Sequence, residues 1–172
     1  MTSDIDAAEA PFETIDGLFK MHVRLKPHAP ALVDPPDRRD WTSGAPKRLT
    51  YAEADRAVSA LALRLQSTGL PAHSIVAYQL PNCVESVLTL LAILRAGFTP
   101  APLPLLWRQA DMAAALARAG AKALVTLDRL GAADCIETAM HAAAEAFSVR
   151  FVCAFGGRAE DGVVPLSDVF AD

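Results

Sequence analysis

A nearly continuous apolar segment near the middle of the chain predicts a strand, a helix and a second strand. Residues 75–80 form a short apolar run that stops at Pro81 and Asn82. Apolar side chains then cover most of a helix circumference over residues 84–94, which is typical of a helix buried on more than one side. Gly97 supplies the left-handed residue that ends many helices, and an extended segment follows it. We expect this unit to form the centre of the core.

Two predicted helices carry capping signals at their starts. Asn82 precedes the central helix and Glu85 follows three positions later. Thr50 and Glu53 repeat that spacing before another helical segment. In a capping box the first side chain accepts a hydrogen bond from a backbone amide, and the acidic side chain reaches back to the cap. We expect a capping box at both helix starts, and Arg95 at the negative end of the central helix dipole.

The remaining segments alternate between helical and extended patterns. The spacing predicts helices over residues 11–21, 50–69, 84–94, 112–119 and 133–147, the last one burying Ile136, Ala139, Met140, Ala143 and Phe147. Predicted strands cover residues 31–33, 48–49, 75–80, 123–127 and 149–154. Strands that alternate with helices predict an α/β domain with a largely parallel sheet and right-handed crossovers. The first two strands are expected to pair as a hairpin apart from that sheet.

Prolines interrupt the extended segment after the central helix. Pro100, Pro102 and Pro104 alternate along an otherwise apolar run. Each proline removes a backbone donor from a strand ladder. This segment is therefore predicted to be an edge strand, a very short strand or an irregular one.

Residues 34–47 are predicted to form a surface loop, because proline, glycine and charged residues are dense there. The charged residues include Asp34, Arg38, Arg39, Asp37 and Asp40. Arginines between the aspartates favour a solvated charged loop over a carboxylate site. Trp41 could mark a binding surface, but an amphipathic aromatic side chain more often pins such a loop to the body of the protein.

Composition narrows the class of protein. Among 172 residues, 52 % are hydrophobic and 21 % are charged, which indicates one ordered domain. The net charge of -4 and the lack of a basic cluster argue against nucleic acid binding. No apolar run reaches the roughly 20 residues that cross a bilayer. Residues 1–10 are acidic, unlike a signal peptide, so we expect a flexible tail and a cytoplasmic protein.

Candidate chemistry is sparse. The cysteines Cys83, Cys135 and Cys153 are far apart and are expected to be reduced core thiols. Gly156 and Gly157 favour a plain turn over a phosphate loop, because no helix with a lysine follows. The scattered histidines are His22, His28, His73 and His141, and no serine lies in a Gly-x-Ser-x-Gly elbow. We therefore assign no catalytic, cofactor-binding or metal-binding residue.

Several short motifs, taken in order, resemble a known family. They are Leu80-Pro81-Asn82, Arg95-Ala96-Gly97, residues 49–53 (LTYAE) and residues 119–126 (AGAKALVT). Their order and spacing across roughly residues 12–170 resemble the N-terminal part of adenylate-forming, AMP-binding enzymes, in particular acyl-CoA and aryl-CoA synthetases. The resemblance implies a partial N-terminal portion of the acyl-CoA synthetase-like fold. Residues 11–172 would then be an N-terminal subdomain fragment of an acid–CoA ligase.

The resemblance also implies a function for the full enzyme. Such enzymes use ATP and magnesium to convert a carboxylic acid, such as a fatty or aromatic acid, to an acyl-adenylate, and then form a thioester with CoA. The family's phosphate loop, adenine-binding motif, ribose-binding aspartate and catalytic lysine all follow the matched region, and no lysine follows Lys122 here. The resemblance therefore implies a structural, inactive fragment whose partner is the remainder of the ligase chain.

Two other functions stay open from the sequence. The chain could be a free-standing binding or interaction module of the same fold. It could also be a flavodoxin-like or Rossmann-like nucleotide binder, although the glycine fingerprint is missing. For a fragment we expect exposed apolar surface and self-association through residues 98–106 or residues 163–166.

Overall fold

This computed structural model describes residues 14–157 and 161–170. Within them the chain forms six helices and nine strands. The helices are α1 (Ile15–Leu25), α2 (Arg38–Trp41), α3 (Tyr51–Gln66), α4 (Val84–Arg95), α5 (Gln109–Ala119) and α6 (Cys135–Glu145). The strands are β1 (Pro30–Val33), β2 (Arg48–Thr50), β3 (Ile75–Tyr78), β4 (Thr99–Pro102), β5 (Ala123–Leu127), β6 (Arg129–Leu130), β7 (Ala133–Asp134), β8 (Phe151–Phe155) and β9 (Val163–Pro165). A 3-10 turn covers Ser167–Phe170.

Five of the strands form one parallel sheet in the order β4-β3-β5-β8-β9. This confirms the predicted α/β fold with a parallel sheet. Strand β3 pairs with β4 on one side and with β5 on the other, so Val76 lies opposite both Pro100 and Ala123. The chain adds β4 on one side of β3 and then adds β5, β8 and β9 on the other side, so the direction of winding reverses between β3 and β5. In open α/β sheets ligands bind outside the carboxyl ends of the strands at such a switch point.

Helices cover both faces of this sheet because neighbouring strand residues point to opposite sides. Val76 and Val125 belong to the core shared with α3 and α4. Ala77 and Leu124 belong to a second core shared with α5 and α6. All residues of β5 are buried, which is expected for the central strand of a three-layer domain.

The N-terminal hairpin lies apart from the sheet, as predicted. Strands β1 and β2 pair antiparallel, and a second antiparallel pair joins β6 to β7. Helix α1 begins after Thr14, whose side chain accepts a hydrogen bond from Gly17 N at 3.0 Å. The predicted helix over residues 11–21 is thus displaced toward the C-terminus, and residues 11–13 lie outside the described ranges.

One predicted capping box is confirmed and the other is wrong. Thr50 and Glu53 bond reciprocally at the start of α3. Helix α4 starts from Cys83, with no capping side-chain bond from that residue, and Asn82 is exposed. Glu85 is buried and turns into the protein instead of reaching back to the cap. The orphan amide of Val84 is satisfied from another element.

The central helix α4 occupies the core as expected, with Leu88, Ala92 and Ile93 fully buried. Gly97 follows it with φ of 80°, a left-handed conformation that favours glycine. Arg95 does more than face the helix dipole, since its guanidinium bonds to Asp16 of α1 at 2.7 Å. It also pairs with Asp55 of α3 at 2.7 Å, so one side chain joins three helices.

The prolines explain the position of β4 at the edge of the sheet. Thr99 N and Leu103 N donate inward to the carbonyl oxygens of Ser74 and Tyr78, at 3.0 and 2.8 Å. Alternation along the strand turns Pro100 and Pro102 toward the outer edge, where they present no amide hydrogen. The prediction of an edge strand is confirmed.

Two further observations complete the fold. Phe147 is 95 % exposed, so its predicted burial is wrong; α6 ends at Glu145, before the helical pattern reaches this residue. Of the residues that the structure describes, none belongs to a helix long and apolar enough to cross a membrane.

Candidate functional site

Four charged side chains meet between the loop after β1 and the start of α4. This charged cluster consists of Asp34, Arg38, Lys47 and Glu85. Arg38 donates two hydrogen bonds to the Glu85 carboxylate, at 2.8 and 2.7 Å, and a further one to Asp34. Lys47 Nζ lies 2.6 Å from Glu85 Oε1. Two cations therefore balance two anions in a nearly closed network.

The cluster corrects the interpretation of residues 34–47 as a solvated charged loop. Asp34 and Arg38 are 5 % and 1 % exposed, and α2 forms within the segment. Asp34 accepts hydrogen bonds from the backbone amides of Val84 and Lys47, both at 2.8 Å. The loop thereby supplies the cap that α4 lacks. Asp37, Arg39 and Asp40 are largely solvent-facing, as the sequence indicated.

Trp41 belongs to the part of this loop that is fixed to the body. Its carbonyl oxygen accepts a hydrogen bond from Gly131 N at 2.7 Å. The neighbouring Thr42 bonds through its hydroxyl to the Arg129 carbonyl at 3.0 Å, and Arg129 donates back to the Thr42 carbonyl at 2.9 Å. These bonds fix this part of the loop to the body through the Trp41 backbone and Thr42, and the role of the Trp41 side chain stays a prediction.

The electrostatics keep Glu85 and Arg38 ionised at neutral pH. Burial alone would raise the pKa of Glu85, but the hydrogen bonds and charges of Arg38 and Lys47 outweigh it and lower that pKa to about 2. Although burial opposes its charge, Arg38 has a raised pKa because Glu85 and Asp34 bond to it. Burial, with the nearby Glu85 charge, raises the pKa of the Cys83 thiol to about 12. None of these groups is set to exchange a proton near pH 7.

A cleft of about 280 Å³ lies between the charged cluster and the carboxyl ends of β5 and β8. Asp128, which follows β5, and Gly156, which follows β8, line it together with Ser167. Gly156 has φ of 131°, and a Cβ built there would lie 2.1 Å from the Asp128 carboxyl carbon. Only glycine allows the two strand ends to approach so closely.

The cleft does not fit a nucleotide phosphate as it stands. Gly156 N donates to Ser167 Oγ at 2.7 Å, and Gly157 N donates to Asp128 Oδ2 at 3.2 Å. Lys47 also lines the cleft, but its ammonium is paired with Glu85. A phosphate cradle needs free converging amides and an available cation. We derive no reaction step through ATP from these residues.

The histidines and cysteines do not come together into a site. His22 stacks on Tyr51 with ring centroids 5.7 Å apart, while His28 and His141 are exposed. Within residues 14–157 and 161–170, no group of three or more histidine, cysteine or acidic side chains could hold a metal ion. Cys83 and Cys153 are buried free thiols, as expected, and Cys135 is half-buried.

The role that these contacts give to the charged cluster is structural. Its members bond to one another, although Arg38 Nε has no hydrogen-bond partner among the described residues. Together they hold the loop after β1 against the N-terminus of α4. Sequence reasoning missed Arg38 and Glu85 as partners because 47 positions separate them. A usable signal was Glu85 itself, since a carboxylate inside an apolar helix requires a buried partner.

The fold is an α/β one built on a parallel five-stranded sheet, and solved structures share it. Acetoacetyl-CoA synthetase from Streptomyces lividans superposes with a TM-score of 0.74 at 22 % identity. The match covers 91 % of this chain and 25 % of the synthetase. At this identity the likeness establishes the fold, the acyl-CoA synthetase-like one.

Sequence comparison then identifies the family. Residues 19–160 match the AMP-binding enzyme family, so the chain belongs to it. A 2-hydroxy-7-methoxy-5-methyl-1-naphthoate–CoA ligase of Streptomyces carzinostaticus is 31 % identical over 105 residues, which are 61 % of this chain and 17 % of the ligase. Naringenin synthase of Pestalotiopsis fici is 36 % identical over 81 residues, which are 47 % of this chain and 3 % of the synthase. The chain thus spans a small part of these relatives.

Proposed function

We propose that this chain is the N-terminal portion of an ATP-dependent acid–CoA ligase. The single observation that carries the proposal is the family match over residues 19–160. A naphthoate–CoA ligase among the relatives, 31 % identical, supports an aromatic or other carboxylic acid as the substrate. In the full enzyme, ATP with magnesium would activate the acid and CoA would accept the acyl group.

The role of this portion would be structural. The charged cluster fixes the loop after β1, and Arg95 fixes α1 and α3 to α4. Such ties would give the remainder of the ligase chain a rigid wall beside its nucleotide and acyl pockets. Since the described residues leave no free phosphate cradle, the 172-residue chain alone is proposed to be inactive.

Pyrophosphate release tests this proposal directly. The 172-residue chain is mixed with ATP, magnesium and a panel of aliphatic and aromatic acids, and a longer chain carrying the downstream sequence is measured in parallel. We expect release from the longer chain alone. Release by the short chain would contradict its inactivity, and a longer chain inactive on every acid would contradict the ligase itself.

A free-standing binding module is the second candidate, and the reading frame after Asp172 distinguishes it from a ligase portion. A phosphate-loop motif encoded downstream supports the ligase, whereas a natural stop codon supports the module. A mononucleotide binder has one feature in its favour, the flavodoxin-like strand order in which the second strand lies outside the first. Tight mononucleotide binding by calorimetry would support it over both.

A further inference from the structure

Helix α5 carries an exposed groove that no other described element covers. The groove has a volume of about 550 Å³ and is lined by Trp107, Asp111, Ala114, Ala115, Arg118 and Ala119. The opposite side of the helix is packed in the core through Met112 and Leu116. A helix three turns long therefore has one buried face and one open face, on which alanines lie between charged side chains.

The charges on the open face are arranged symmetrically. Asp111 and Arg118 are seven positions apart, two helical turns, so they lie on the same face with Ala114 and Ala115 between them. At 1.5 Å per residue they are about 10 Å apart along the axis. Neither side chain forms a hydrogen bond or ion pair with any residue that the structure describes. Their places in the first and last turns suit the helix dipole, but the dipole does not require a shared face.

This pattern is complementary to itself. If a second copy packs its α5 antiparallel against this one, a two-fold axis passes between Ala114 and Ala115. The axis brings Asp111 of each copy opposite Arg118 of the other, so both charges of both copies are paired. Alanines at the crossing point allow the helix backbones to approach closely. An isologous contact of this kind is the commonest form of homodimer.

Apolar side chains extend the face at the N-terminal end of α5. Trp107 lines the groove, and the adjacent Leu106 is 92 % exposed. Gln79 holds this segment in place by donating to the carbonyl oxygens of Pro104 and Trp107, at 2.8 and 3.1 Å. The exposed leucine is therefore presented by a fixed turn, which reduces the entropy lost when a partner covers it.

We propose that α5 is the surface through which two copies of this chain form a two-fold dimer, with reciprocal Asp111–Arg118 ion pairs around an alanine crossing. The contact is distinct from strand addition at β4, whose outer edge is blocked by Pro100 and Pro102. It does not depend on the proposed ligase activity. An interface built on one short helix and its preceding turn is small, so the dimer is weak and concentration-dependent.

Charge exchange between two variants tests the dimer. Asp111→Arg and Arg118→Asp each place like charges opposite one another in a homodimer, so each is expected to raise the dimer Kd at least about tenfold. An equimolar mixture of the two variants restores both ion pairs and is expected to dimerise like the parent chain. Sedimentation velocity over a concentration series gives the dimer Kd of the parent chain, of each variant and of the mixture. Arg56→Asp, an exposed change on α3 at the other face of the sheet, is the control and keeps the parent Kd.

Each possible result decides the matter. Circular dichroism first establishes that every variant is folded, and Ala115→Glu gives a second disruption at the crossing point. A parent chain that sediments as a monomer at every concentration overturns the proposal. The groove would then be a candidate contact for another part of the protein. A dimer that withstands both charge reversals, or a mixture that fails to recover dimerisation, also overturns it because the contact then lies elsewhere.

Discussion

At the scale of single residues, Glu85 holds two cations inside the protein. Its carboxylate bonds to Arg38 and Lys47, and it is 1 % exposed. Glu85→Gln keeps the size of the side chain but leaves the buried Arg38 guanidinium with only one of its two carboxylate partners. Breaking one partner of a buried ion pair costs about 3 to 5 kcal/mol, and we expect a loss of that size in urea unfolding. Glu145→Gln is the matched control, because the exposed Glu145 bonds to neutral Gln109.

That control is expected to change the free energy of unfolding by less than about 0.5 kcal/mol, as most surface substitutions do. Equal losses in the two variants would show that the charged cluster adds nothing beyond an ordinary surface contact. The structural role assigned to the cluster, which is to hold the loop after β1 against α4, would then be wrong.

The lowered pKa of Glu85 also predicts how stability depends on pH. The folded protein holds this carboxyl at a pKa of about 2, below the ordinary value of 4.5, so the unfolded state binds a proton first as the pH falls. The stabilisation is therefore complete above pH 4.5 and is lost as the pH falls toward 2. Urea midpoints measured across that window should fall steeply for the parent chain and less steeply for Glu85→Gln. Parallel slopes would contradict this.

At the scale of elements, Thr50 and Asn82 look alike in sequence and differ in the structure. Thr50 caps α3 and takes part in a reciprocal capping box, whereas Asn82 is exposed and α4 is capped by Asp34. Thr50→Ala should destabilise the protein by about 0.5 to 2 kcal/mol, the usual cost of losing an N-cap. Asn82→Ala should be nearly neutral. Thermal or urea unfolding of both variants checks this, and a larger loss from Asn82→Ala would reverse the assignment.

Local sequence patterns predict the elements of this fold better than they predict the contacts between distant residues. Helices and strands follow from local periodicity, and the prolines of β4 identify an edge because each removes a donor within its own strand. Glu85 has the spacing of a capping residue, yet it bonds to Arg38, 47 positions away. That tertiary partner offsets the cost of burying the carboxylate and overrides the local motif. The charged cluster was therefore beyond local reasoning, as was the exposure of Phe147 just after α6.

At the scale of the whole molecule, α1 is the least firmly attached helix. It has no buried residue, whereas α3 and α4 each have at least six. Its ties include the ion pair between Asp16 and Arg95 and the ring contacts of Phe19 and His22 with Tyr51, with centroids 5.9 and 5.7 Å apart. Segments with little buried apolar surface open locally before the core does. We therefore expect α1 amides to exchange with solvent well before those of β5.

Replacing Arg95 tests whether this side chain controls that opening. Arg95→Gln removes the charge between Asp16 and Asp55 and leaves the two carboxylates of α1 and α3 facing each other. Hydrogen exchange of α1 should accelerate at least about tenfold, which corresponds to 1.4 kcal/mol of lost attachment. Exchange in β5 should change far less, because its contacts do not involve this side chain. Arg64→Gln, which breaks the exposed pair with Asp168, should leave α1 unchanged. Equal acceleration of α1 and β5 would mean that Arg95 stabilises the whole domain, and that α1 does not open as a separate unit.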